Sequence, residues 1–98
     1  MKRVVFHPEA ERELLRELAY YSKGRAGSDA RFLDAVQLAA ARAARHPLAG
    51  APTYGEIRSM RVKGFPFSVV YRDATQAVEV IAVSPHRKRP LYWLDRQD

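Results

Sequence analysis

The chain is 98 residues long and 47% hydrophobic, and 17 Lys and Arg against 11 Asp and Glu give it a formal net charge of +6 and a pI near 10.1. That length suits one domain over residues 1–98, and the absence of cysteine excludes disulfides, thiolate metal sites and a thiol nucleophile. No apolar run reaches signal-peptide or membrane-spanning length, so the expectation is a cytoplasmic protein without membrane contact, whose surface attracts polyanions.

Lys2 to Phe6 is a β-branched and aromatic run that stops at Pro8, predicting a strand and then a helix with Pro8 in its first turn. Ala10, Leu14, Leu18 and Tyr21 recur at helical spacing. Glu9, Glu11, Glu13 and Glu17 crowd the first half, where they complement the helix dipole; with Arg12 and Arg16 between them they read as a solvated face. Gly24 and Gly27 break this helix, and Ser28 or Asp29 is expected to cap a second one with the stripe Phe32, Val36, Ala39 and Ala43, ended by His46-Pro47. Residues Gly50 to Gly55 read as a loop. Beyond them the period changes to two. Ile57, Met60 and Val62 with Arg58, Arg61 and Lys63 between them predict a strand with a basic face, turned by Gly64. Phe65 to Arg72 and Ala77 to Val83 predict two further strands joined by a hairpin loop over residues 73–76, and Ser84-Pro85 ends the last. The order β-α-α-β-β-β defines an α+β fold, with a helical hairpin on one face of a mainly antiparallel sheet and the other face open.

His7, His46 and His86 lack ligand spacing, so no metal site is expected, and no nucleophile elbow, phosphate loop or dinucleotide fingerprint calls for a cofactor. RNA cleavage is the chemistry that survives, because it needs only a base for the 2′-OH, cations for the phosphate and an acid for the leaving group. His86, Lys88, Tyr92, Arg61 and Arg87 are the candidates, His86 having an unperturbed pKa of ~6.5. A lone histidine beside three bases is more often a surface residue. Phe65, Phe67 and Tyr71 at strand spacing either stack bases or, more commonly, fill a core. Tyr92-Trp93, just past the basic run, either pins the tail to the sheet or anchors a partner.

In order and spacing these pieces resemble the ParE branch of the ParE/RelE superfamily, the toxins of bacterial type II toxin-antitoxin pairs. The likeness runs over nearly the whole chain: Val5-Phe6, Pro8 and Ala10 entering a Glu- and Leu-rich helix, Tyr20-Tyr21, Phe32, Pro47 with Gly50, Ile57-Arg58, Phe65-Pro66-Phe67 continuing to Arg72, Val80 to Val83, and Arg89-Pro90-Leu91-Tyr92-Trp93. The resemblance implies a toxin neutralised by an acidic, ParD-like antitoxin encoded beside it, with operator DNA reached only through that antitoxin. ParE-type members inhibit DNA gyrase; the alternative, a RelE-type mRNA interferase, is a ribosome-dependent endoribonuclease. The Phe-Pro-Phe strand and the Arg-Pro-Leu-Tyr-Trp ending favour the first, and Lys63 is the only lysine where RelE-type nucleases carry a dense set. Many relatives place a histidine directly after the last strand, where this chain has Ser84-Pro85 and His86 is displaced. The resemblance therefore implies a target-binding segment of Arg87, Lys88, Arg89, Tyr92 and Trp93, and a basic sheet face or antitoxin contact at Arg58, Arg61, Lys63 and Arg72. A gyrase inhibitor of this kind has no catalytic residue, whereas a metal-independent ribonuclease would draw on Arg61, His86, Arg87 and Tyr92.

Overall fold

The computed structural model describes residues 2–96. Strand β1 (Arg3–Phe6) enters helix α1 (Pro8–Ser22) through His7, whose Nδ1 accepts the Glu9 N–H at 3.0 Å. With Pro8 at the first helical position, two of the N–H groups that a helix start leaves unpaired are already dealt with. Helix α2 (Ser28–Arg45) starts differently from the expectation. Ser28 and Asp29 lie inside it, and its N-cap is Gly27, which makes no side-chain cap and takes a left-handed φ of 85° that a glycine adopts without strain. Its end at His46, before Pro47, is as predicted. The two apolar stripes face the sheet, where Ala10, Phe32, Val36 and Ala43 are fully buried and Leu14, Leu18 and Tyr21 pack around them.

The remaining chain forms β2 (Ala51–Tyr54), β3 (Ile57–Arg61), β4 (Phe67–Asp73) and β5 (Ala77–Pro85), in a five-stranded sheet of order β1-β5-β4-β3-β2. Only β1 and β5 run parallel. The α+β reading therefore holds with one strand added, since the expected loop over residues 50–55 contains edge strand β2. All four of its side chains are exposed, so it has no burial period, and Pro52 is tolerated there because an edge strand has a side that needs no N–H. Strand β4 starts at Phe67, with Lys63 to Pro66 in the turn before it, and β5 runs on to Pro85.

The β4–β5 ladder pairs Val70 with Ala82 and Tyr71 with Val80, leaving Ile81 unpaired in a bulge. Val80 and Val83 consequently face the helices, while Ile81 and Ala82 both face the other way. That second face is not open, which corrects the expectation. After Pro85 the chain turns back, and Leu91, Tyr92, Trp93 and Leu94 pack over Ile57, Val70, Ile81 and Ala82. Leu91 reaches this position with φ 62°, a region that costs an L-residue about 1–2 kcal/mol. Apolar surface on both faces of the sheet drove the tail onto the uncovered one.

Candidate functional site

Strand β1 accompanies β5 only as far as Val80, whose carbonyl accepts the His7 N–H at 2.8 Å. Beyond that point the edge of β5 needs other partners, and side chains supply them. Glu13 Oε1 accepts the Val83 N–H at 3.0 Å, and Arg96 Nη1 donates to the Ile81 carbonyl at 3.3 Å. The two side chains also bind each other, Arg96 Nη1 to Glu13 Oε1 at 2.9 Å and Nη2 to Oε2 at 3.1 Å, and the Tyr92 hydroxyl donates to Oε2 at 2.6 Å. Glu13 is the buried charged residue of the described chain, at 7% exposure. Burial raises the Tyr92 pKa, and its hydrogen bond to the Glu13 carboxylate and that carboxylate's charge raise it further. Burial opposes the charge on Arg96, but Glu13 outweighs it, so the guanidinium is held more firmly protonated than usual.

Neither Glu13 nor Arg96 was expected here. The signal was present: positions 10, 13, 14, 17, 18 and 21 make one helical face, so Glu13 lies on the core stripe and not opposite it. A second constraint surrounds Tyr71, whose hydroxyl accepts the Gly50 N–H at 3.0 Å and donates to the Pro47 carbonyl at 2.7 Å. A Cβ on Gly50 would collide with that hydroxyl and sit 2.8 Å from the Ser59 carbonyl, so only glycine fits. Phe65 and Phe67 likewise belong to the core, in edge-to-face contact with Phe32.

The tail's cations occupy one exposed loop with divergent directions. His86 is tied by its N–H to the Pro66 carbonyl and by Nε2 to the Ser68 hydroxyl at 2.9 Å. With Lys88 and Arg89 it borders a groove of about 440 Å³ on the second sheet face, whose hydroxyls come from Thr53, Ser59, Ser68 and Ser84. Arg87 instead lines a cleft with Arg16, Tyr20 and Tyr21. Lys88 Nζ stands 4.7 Å from the centre of the Tyr92 ring, a cation–π distance. Trp93 is 3% exposed and fills the second core. The segment thus divides into exposed Arg87, Lys88 and Arg89, half-buried Tyr92, and a tryptophan that supports the loop from beneath.

No single basic sheet face forms. Arg58 donates to the Leu48 and Gly50 carbonyls at 3.3 and 2.9 Å, and Arg72 pairs with Glu79 at 2.9 Å. Arg61 and Lys63 border α2. Ile57 and Met60, three apart on β3, lie on opposite faces, the first in the second core and the second in the first, so both faces of this strand carry apolar cover. Among the described residues no three His, Cys, Asp or Glu side chains converge, and no helix is long and apolar enough to cross a membrane.

A family model described as the ParE toxin of the parDE type II system matches residues 4–90. A solved structure, the chromosomal ParDE TA system from P. aeruginosa, shares the fold with a TM-score of 0.65 at 18% identity, over 87% of this chain and 96% of that one. No curated protein matches the sequence. The chain belongs to the ParE toxin family. Tyr92, Trp93 and Arg96 lie beyond the matched residues.

Proposed function

We propose that this ParE-family chain is a non-enzymatic, growth-arresting toxin that acts in the cytoplasm on DNA gyrase and is held inactive by an acidic, ParD-like antitoxin. The observation that carries the reading is the dispersal of the residues a ribonuclease would need. His86 is on the groove of the second sheet face, Arg87 in the cleft beside Tyr21, Arg61 beside α2, and the Tyr92 hydroxyl on Glu13. A general base, an acid and phosphate-neutralising cations must converge on one reacting group; His86 shares its groove with Lys88 and Arg89, but the Tyr92 hydroxyl, the candidate acid, is held on Glu13 instead. What the loop does present is three consecutive exposed cations braced by Tyr92 and Trp93, a surface suited to binding.

Titrating the purified protein into a gyrase supercoiling assay tests this, with ribosome-dependent mRNA cleavage run alongside. Supercoiling is expected to fall with no cleavage, and Arg87→Ala with Arg89→Ala to weaken inhibition by roughly tenfold or more. Cleavage with supercoiling untouched would replace this reading with the RelE-type one.

A further inference from the structure

The cleft that holds Arg87 has a volume of about 470 Å³, and most of its lining comes from α1 and not from the C-terminal loop. Helix α1 contributes Arg16 with Tyr20 and Glu17 with Tyr21, two pairs four residues apart, so the members of each pair are neighbours on the helix surface. The adjacent tyrosines go separate ways. Tyr21 packs on Phe32 and Phe65, with ring centres 4.9 and 5.4 Å away, whereas Tyr20 stands edge-on to Tyr21 and is 69% exposed. Core packing does not account for the Tyr20 ring. Arg87 is positioned by the backbone on either side of it: the His86 N–H reaches the Pro66 carbonyl at 2.9 Å, and the Lys88 N–H closes a turn on the Pro85 carbonyl at 3.1 Å. Among the described residues neither Arg16 nor Arg87 forms an ion pair. Two unneutralised guanidinium groups and an exposed phenol ring therefore border one cleft, on a helix and a tight turn.

We infer that Tyr20 and Arg16 of α1 extend the target-binding surface, and that the cleft they share with Arg87 receives an acidic segment of the toxin's protein target. The inference rests on the toxin reading above, under which that target is gyrase. A carboxylate entering the cleft would neutralise the two guanidinium groups, and an apolar side chain next to it would lie on the Tyr20 ring. Tyrosine and arginine carry a disproportionate share of the binding energy at protein interfaces, and a site whose backbone is already fixed loses little entropy when a partner arrives. Nucleic acid fits the cleft less well, because the Glu17 carboxylate within it repels phosphate. The target surface accordingly turns from the loop onto α1, away from the groove that Lys88 and Arg89 border on the second sheet face.

The test uses the full chain, expressed without antitoxin to follow growth and purified for supercoiling assays with DNA gyrase. Tyr20→Ala and Arg16→Glu should each raise the concentration for half-inhibition by roughly tenfold or more and relieve growth arrest, while Tyr20→Phe, which keeps the ring, should stay within about threefold of the wild type. Tyr54→Ala and Arg45→Ala, at exposed positions outside the cleft, should behave as the wild type. Positions 16 and 20 are themselves exposed, and circular dichroism verifies each fold. A photoreactive phenylalanine analogue at position 20 is expected to cross-link to a gyrase subunit, and the same group at position 54 is not. Full inhibition by both Tyr20→Ala and Arg16→Glu, or equal cross-linking from the two positions, would overturn the inference and leave gyrase as the target. If gyrase is spared but the two substitutions still abolish growth arrest, gyrase fails as the target and the cleft stands. Should growth arrest survive them as well, both are wrong.

Discussion

Glu13 shows how one residue decides what a position means. A carboxylate at 9% side-chain exposure has lost most of its hydration, and the donors from Val83, Tyr92 and Arg96 replace it. Removing one partner of such a pair leaves the other buried without compensation, which costs about 3–5 kcal/mol. Glu13→Ala is therefore expected to lower the free energy of urea unfolding by roughly that amount, and Glu13→Gln, which keeps an acceptor for the Val83 N–H, by less. A loss under about 1 kcal/mol for the alanine would reduce the pair to an ordinary surface contact. Residue type marks Ala10, Leu14 and Leu18 as core and Glu13 as surface, whereas helical position puts all four on the buried face. The partners of Glu13 cannot be found locally, because Arg96 is 83 residues away.

Among elements, those with a burial period were legible and those without one were not. The α2 stripe and the run from Val78 to Val83 follow from apolar spacing, and the strand through Met60 was found, though its basic face was not. Strand β2 has four exposed side chains and nothing to detect, while the cover over the second sheet face depends on Ile57, Val70, Ile81 and Leu91 meeting from distant parts of the chain. Candidate site residues suffered similarly, since Tyr92 and Trp93 are adjacent in sequence but serve a carboxylate and a core. Ending the chain after Arg89 would uncover Ile57, Val70 and Ile81 and remove both Tyr92 and Arg96 from Glu13. Burial of one large apolar side chain is worth about 1.5–3 kcal/mol, so the loss of Leu91, Trp93 and Leu94 together should cost roughly 3–6 kcal/mol. Thermal unfolding and binding of a hydrophobic dye measure both effects; unchanged stability without dye uptake would mean that the segment does not cover the sheet in solution.

For the whole molecule, Tyr21, Tyr71 and Tyr92 bias stability on the alkaline side, because burial raises the pKa of each from 10.0. Below pH 10 these phenols are neutral in both folded and unfolded chains, and their contribution is fully present. As pH rises past 10 the unfolded chain ionises first, so the contribution falls until the folded phenols ionise as well. Unfolding free energy measured across this range should decline above pH 10, and Tyr92→Phe should flatten the decline even though it loses one hydrogen bond at neutral pH. An unchanged slope would remove Tyr92 from the account. The Glu13 contacts also set the order of events during synthesis. Its partners follow 70, 79 and 83 residues later, so a chain growing from its N-terminus makes the acid long before anything exists to receive it. Residues of α1 such as Ala10 and Leu14 can pack on the sheet earlier, but the buried Glu13 carboxylate gains its full set of donors only once residue 96 has been added, so this contact is among the last of the fold to form.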